Sequence, residues 1–322
     1  MQDLKKVLVT GASGFVASHL VGYLLAQGRD VVTTSRQPAV NNPIVNQNTS
    51  SYILDKDGYQ ASWFEGVSVV VHCAALTNSG YKTQDGQLAE FRAANVDDTL
   101  SLARSAAQAG VRRFVFVSSI KVNGEQTFAG RPYRASDSPN PEDAYGISKW
   151  EAEQGLAKLC AETGMELVVV RPPLVYGAGV KGNFLAMSRW VSKGMPLPLG
   201  AIKNNARSLV SIANLVDLLV TCVDHPKAAM QTFLVSDSEP LSTTSLLQHL
   251  AQAFGTKAKL IPVPSMLIDA AAAMVGKSHI SRRLTGDLAV DITDTKLILD
   301  WQPPESSDEG LRKFADWYME QV

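Results

Sequence analysis

Tyr145 and Lys149 stand four residues apart in Ala144-Tyr145-Gly146-Ile147-Ser148-Lys149-Trp150, which on a helix brings both side chains to one face. A free phenol titrates near about 10, too high for a base at neutral pH. An ammonium beside it favours the phenolate and lowers that value, so the pair can shuttle a proton. The same spacing also occurs in ordinary amphipathic helices, so its weight depends on its company. Phe114-Val115-Phe116-Val117-Ser118-Ser119 is a strand ending in hydroxyls. It would end at the carboxyl edge, where open α/β sheets bind ligands, and a serine there can align a reacting oxygen.

A third motif lies near the start. Thr10-Gly11-Ala12-Ser13-Gly14-Phe15-Val16-Ala17 follows an apolar run and opens a helical pattern. Gly11 permits a tight turn, Gly14 lets backbone N–H groups approach a pyrophosphate, and Ala17 is small enough for the helix to pack on the strand. The helix N-terminus then faces phosphate charge. Together the three motifs predict a nicotinamide dinucleotide site. Tyr145 would move the proton while a hydride leaves or joins carbon, and Lys149 would also bond the nicotinamide ribose. An acid at the end of the second strand would select NAD through the ribose hydroxyls. That strand ends Thr33-Thr34-Ser35-Arg36, and Asp30 lies at its other end. Ser35 and Arg36 can instead hold a 2′-phosphate, so NADP(H) is preferred, with NAD(H) as the alternative. The five histidines show neither metal nor triad spacing.

The elements that must carry these residues alternate. Short apolar runs at 7–10, 31–34, 67–72, 114–118 and 167–171 read as strands, with helices near 14–27, 88–109 and 145–163. Continuous apolar strands interleaved with helices predict an α/β fold with a doubly wound, Rossmann-type parallel sheet. Residues 1–172 would form the dinucleotide-binding domain. Residues 173–322, richer in proline and glycine, would form mainly a smaller C-terminal substrate lobe, interleaved with the last sheet elements. Within it, Phe233 to Ser236 reads as a strand and 243–254 as a helix. Asn41 to Ser51 reads as a surface loop.

The chain has 322 residues, 45% hydrophobic and 19% charged, with a net charge of −1, ordinary proportions for a soluble enzyme. No basic tract points to nucleic acid. Cys73, Cys160 and Cys222 are too scattered for a disulfide framework and suit a reducing cytosol. The polar start shows no secretory signal, and a cytoplasmic protein is expected. Met266 to Val275 is too short for a bilayer span and reads as a buried or interface helix.

These motifs resemble the extended short-chain dehydrogenase/reductases, in the epimerase/dehydratase family acting on nucleotide sugars. The resemblance runs over nearly the whole chain. It includes the glycine turn, His72-Cys73-Ala74-Ala75, Asn95-Val96, Val117-Ser118-Ser119, Tyr145 to Lys149 and Arg171-Pro172-Pro173-Leu174-Val175-Tyr176-Gly177. It implies Ser119 as the catalytic hydroxyl beside Tyr145 and Lys149. Cofactor contacts would come from Gly11, Ser13, Gly14, Phe15, Val16, Asp55, Ala74, Ala75, Asn95 and Ser118, with Pro172 and Leu174 near the nicotinamide. For substrate it implies Asn183 and Phe184 at the nucleotide-sugar phosphates and Arg207 at the nucleotide end. Arg283 and Asp287 would grip diphosphate and ribose, although their spacing is one residue longer than usual. Related enzymes dimerise through the helices near 88–109 and 145–163 as a four-helix bundle, which implies a homodimer.

The 4,6-dehydratases of this family carry an Asp-Glu pair after the strand-end hydroxyl. Here Ile120-Lys121 follows Ser119, which speaks against dehydration. The first expectation is reduction of a UDP-4-keto-6-deoxy-N-acetylhexosamine at carbon 4. Arg36 favours it, and 118–125 resembles bacterial enzymes near UDP-N-acetylquinovosamine synthesis. The alternative is a UDP-sugar 4-epimerase. A cofactor-sensing regulator on the same fold is the reading of another class, but such proteins usually lose the Tyr and Lys kept here.

Overall fold

β-Branched residues dominate the strands and dictate their two-sided packing. The computed structural model describes residues 6–35, 49–54, 58–80, 83–274, 276 and 278–321. Strands β1 (Lys6–Thr10), β2 (Val31–Ser35), β3 (Thr49–Ile53), β4 (Val67–His72), β5 (Arg113–Val117), β6 (Glu166–Arg171) and β9 (Gln231–Leu234) form one seven-stranded sheet. Its order is β3-β2-β1-β4-β5-β6-β9, with every pair parallel. Strands β7 (Leu174–Tyr176) and β8 (Leu209–Ser211) make a separate parallel pair. The helices are α1 (Phe15–Ala26), α2 (Gln84–Arg92), α3 (Asp98–Gln108), α4 (Ala144–Thr163), α5 (Asn183–Ser192) and α6 (Ile212–Asp224). They continue with α7 (Thr243–Ala253), α8 (Ser265–Met274), α9 (Ser278–Thr285), α10 (Thr293–Leu299) and α11 (Ser307–Glu320).

Side-chain alternation sorts the sheet into two apolar layers. Val7, Val9, Val69, Val71, Val115, Val168 and Val170 pack with Leu20 and Leu24 of α1 and Leu215 and Leu219 of α6. On the other face Leu8, Val70, Phe114, Phe116, Leu167 and Val169 pack with Leu102 and Ala106 of α3 and Ala152 and Leu156 of α4. A third cluster joins Phe184 of α5, Leu247 and Leu250 of α7 and Phe314 and Tyr318 of α11. Phe184, Leu199 and Leu246 of that cluster also line the cavity of the candidate active site.

Strand order reverses between β2-β1 and β4-β5, and the glycine turn leaves β1 at that point. In open α/β sheets this crevice is where ligands bind. Two sequence expectations change here. Thr49–Ile53 adds an edge strand beside β2, where a surface loop was expected to reach Ser51. The helix expected over 88–109 is interrupted by a π-helical turn at Ala93–Asp97, which carries Asn95.

Candidate active site

The glycine turn closes on itself before α1 begins. Gly11 N and Ala12 N both donate to Thr34 O, at 2.8 and 3.2 Å, and Gly14 N donates to Gly11 O at 2.7 Å. Gly11 has φ 71°, and a Cβ there would lie 2.9 Å from the Ala74 backbone, so the position needs glycine on both counts. Gly14 is the N-cap of α1 and supplies no side-chain cap, which leaves the first N–H groups of the helix for an anion. Ser13 and Gly14 are exposed at this end, and Phe15 and Val16 are half-buried. This cradle fits a dinucleotide pyrophosphate. Arg36 and Asp55 lie outside the described residues.

A buried hydrogen-bond chain holds the crevice in register. Thr99 Oγ1 donates to Asn95 O at 2.8 Å, and the Thr10 hydroxyl accepts from Ala74 N at 3.3 Å. His72 therefore donates from Nε2 to Thr99 (2.9 Å) and accepts at Nδ1 from Thr10 (2.7 Å), a tautomer assigned from this network. Burial holds its pKa down at about 3, so the ring stays neutral. Asn95, itself buried, accepts from Leu76 N (2.8 Å) and donates to Leu76 O (3.0 Å) and Ser148 Oγ (3.1 Å). It thus ties the strand-end loop with Ala74 and Ala75 to α4.

Asp143 caps α4, accepting from Gly146 N at 2.7 Å, and so sets where the first turn places Tyr145. Gly146 is needed because Lys121 O would lie 2.8 Å from any Cβ there. Phe91 of α2 meets the Tyr145 ring edge-on at 5.8 Å. Lys149, one turn on, is buried, with Nζ 4.1 Å from the Phe116 ring centroid. The electrostatics differ from the expectation of an acidified phenol. Burial, then the Asp143 charge, pushes the Tyr145 phenol up to about 12. Burial pulls Lys149 down to about 7, against the opposing pull of Glu153. Desolvation outweighs pairing among the chain's own groups.

Ser119 and Tyr145 line a cavity of about 630 Å³ together with Leu174, Asn183, Phe184, Arg207 and Arg283. Most of the wall is apolar, including Met187, Trp190, Leu197, Leu209 and Leu246. Arg207 donates to Gly286 O at 3.1 Å. Asp287 lines a neighbouring cavity of about 340 Å³, and its Oδ1 accepts from Ala206 N at 2.8 Å. Phe184 is buried and stacks on Tyr176 at 5.5 Å, so it also serves the core. Ser119 Oγ accepts from Lys121 N at 3.3 Å. Ser118 turns away: its hydroxyl donates to Glu153 Oε1 at 2.5 Å, inside the protein. Pro172 is buried, with its carbonyl accepting from Ile120 N at 3.0 Å.

Two charged groups at the site were not singled out from the sequence. Lys121 Nζ contacts Asp143 and Glu125, the latter at 2.9 Å, and Arg283 lies 3.9 Å from Glu125. Lys121 and Glu125 both line the cavity, and their four-residue spacing was the available signal. Beneath them Glu153 pairs with Arg171 at 2.5 Å, and Arg171 donates to Asn123 Oδ1 at 3.0 Å. No sequence pattern marks these partners, which are distant along the chain.

The family model described as the NAD dependent epimerase/dehydratase family matches residues 7–235. A UDP-glucose 4-epimerase of Vibrio cholerae is 43% identical over 321 residues, 98% of this chain and 96% of the relative. The solved UDP-glucose 4-epimerase of Thermotoga maritima with UDP-glucose superposes with a TM-score of 0.80 at 20% identity, covering 98% of this chain and 99% of that one. The UDP-glucuronic acid 4-epimerase of Bacillus cereus in complex with NAD gives a TM-score of 0.78 at 20% identity, covering 98% and 99%.

Proposed function

Because this chain belongs to the NAD dependent epimerase/dehydratase family, we propose that it is a nucleotide-sugar enzyme that moves a hydride at carbon 4 of a UDP-hexose, as a 4-epimerase. One observation carries the reading: the groups for dehydrogenation, Ser119 and Tyr145, face the same cavity as two arginines suited to a diphosphate. Bound NAD(H) would supply a hydride acceptor and donor, and in its oxidised form a positive ring beside the phenol.

The chain's own residues do the rest. Tyr145 takes the proton of the 4-hydroxyl, and Ser119 Oγ holds that oxygen in line. Lys149 would bond the nicotinamide ribose, and its ammonium would stabilise the negative charge that develops on the phenol. Asn183, Arg207 and Arg283 keep the diphosphate while the 4-keto sugar turns its other face, with Asp287 on the ribose. Epimerisation requires that turn, and apolar walls at Leu174, Trp190 and Leu209 offer the sugar few polar anchors against it. Gly11, Ser13, Gly14, Phe15, Val16, Ala74 and Ala75 carry the cofactor, with Asn95 fixing the loop. The three cysteines are unpaired, in keeping with a cytosolic enzyme.

The Vibrio relative moves the epimerase ahead of the 4-ketoreductase expected first from the sequence. The reductase stands as a second reading on one observation: β2 ends Thr33-Thr34-Ser35 without a carboxylate, which suits NADP(H). Incubating the protein with UDP-glucose or UDP-N-acetylglucosamine and NAD should yield the 4-epimer with no net cofactor turnover. Stoichiometric NADPH consumption with UDP-4-keto-6-deoxy-N-acetylglucosamine, and no epimer from either hexose, would select the reductase instead. Tyr145→Phe should lower turnover by about 10²–10⁴-fold while leaving cofactor binding intact. Unchanged turnover would remove Tyr145 from the chemistry.

A further inference from the structure

Helix α8 buries none of its side chains, which leaves the interface half of the expectation for this nearly unbroken apolar stretch. Met266, Ala270 and Met274 follow one stripe, with Leu267 and Ala271 beside it, all exposed. Met266 is 78% exposed and Met274 82%, and Ile261 just before the helix is 50% exposed. The opposite side is anchored: Ile268 packs on the cluster that holds Leu284. Asp269, the only charge on the helix, accepts from Thr285 of α9 at 3.3 Å. The sequence on either side of the helix is basic. Residues 257–283 carry Lys257, Lys259, Lys277, Arg282 and Arg283 against Asp269 alone, in a chain whose net charge is −1.

We infer that the exposed face of α8 docks on an anionic phospholipid surface, with Met266, Leu267 and Met274 entering the boundary between headgroups and acyl chains. An apolar helix face carried between basic stretches of sequence, with Lys257, Lys259 and Arg282 exposed, has the make-up of an interfacial anchor. No described helix is long and apolar enough to cross a bilayer, so the contact lies in the membrane plane. A second copy of the chain fits less well. A two-fold contact through this face would set Lys257 and Lys259, both exposed, against the same cations of its mate.

Cosedimentation of the full chain with vesicles tests the assignment. Phosphatidylcholine vesicles containing phosphatidylglycerol should pellet the protein at low ionic strength, and phosphatidylcholine alone should pellet much less. Met266→Ser with Leu267→Ser should weaken that partition by about tenfold, with an unchanged thermal melt. Lys257→Glu with Lys259→Glu should weaken it too, and leaves the apolar face untouched should the first variant fold poorly. Absence of pelleting with anionic vesicles, or equal pelleting of the parent and the folded variants, overturns the proposal. A smaller particle by light scattering for the serine variant, without vesicle binding by the parent, assigns the face to a second copy.

Discussion

Tyr145 and Lys149 both lie on α4, and burial governs the charge of each. Lys149 holds its proton less tightly in the folded chain, at about 7, than a free lysine at 10.5. Between those values the unfolded chain binds more protons, so stability rises with pH there, and below about pH 7 the buried ammonium costs the fold in full. Lys149→Met should therefore raise Tm most near about pH 6, with the gain shrinking as pH climbs towards the free-lysine value; a gain constant with pH would contradict this origin. Lys121 acts one step further out, by neutralising Asp143, whose charge raises the Tyr145 phenol. With Lys121→Met, the limb of kcat for sugar oxidation that rises with pH should move up by about half to one unit, and Lys121→Arg should restore it. An unmoved limb would confine Lys121 to a packing role. Motif chemistry singled out the phenol and the lysine, and the family resemblance singled out Ser119; the structure sets Ser119 and Tyr145 in one cavity. The role of Ser118 was not legible in the sequence, because its hydroxyl is committed to Glu153, a residue 35 positions away whose approach only the fold dictates.

At the scale of elements, the strands legible in sequence were those with continuous apolar runs. Val67–His72 and Glu166–Arg171 announce themselves because both of their faces are covered. Thr49–Ile53 does not, since an edge strand of polar and half-exposed residues lacks that signature. For helix α8 the sequence left burial and an interface both open, because apolar composition alone does not say whether a face finds a partner in the same chain; the structure excludes burial. The junction between α4 and the sheet was equally silent. Glu153 of α4 takes Arg171 of β6 and the Ser118 hydroxyl together in a buried cluster. Removing the carboxylate strands a guanidinium in the interior, for which Asn123 offers a single neutral acceptor. Glu153→Ala should accordingly destabilise the protein by about 3–5 kcal/mol, read from urea unfolding. A loss below about 1 kcal/mol would mean that Arg171 reaches other acceptors or water.

At the scale of the whole molecule, the helix that holds Tyr145 also leaves an outer face open. Gln154, Ala157, Lys158 and Ala161 form an exposed stripe on α4, and Asp97, Ser101, Arg104 and Gln108 form another along α3 and the turn before it. Inward, α4 and α3 already approach closely, since a Cβ at Gly155 would meet Leu100 at 2.8 Å. Alanines at 157 and 161 offer little apolar area to water but permit a second helix pair to come near. The family resemblance implies a homodimer built as a four-helix bundle from α3 and α4 of each copy, and we propose that these stripes form it, with mixed charges at its rim. Such a bundle would brace α4 from outside, as Asn95 and Glu153 brace it from within, and so steady the phenol at its first turn. Light scattering should give twice the chain mass of 34.7 kDa. Ala157→Arg with Ala161→Arg should halve that mass and lower turnover without changing the fold. A monomeric parent at micromolar concentration would remove the bundle, and with it this second support for the catalytic helix.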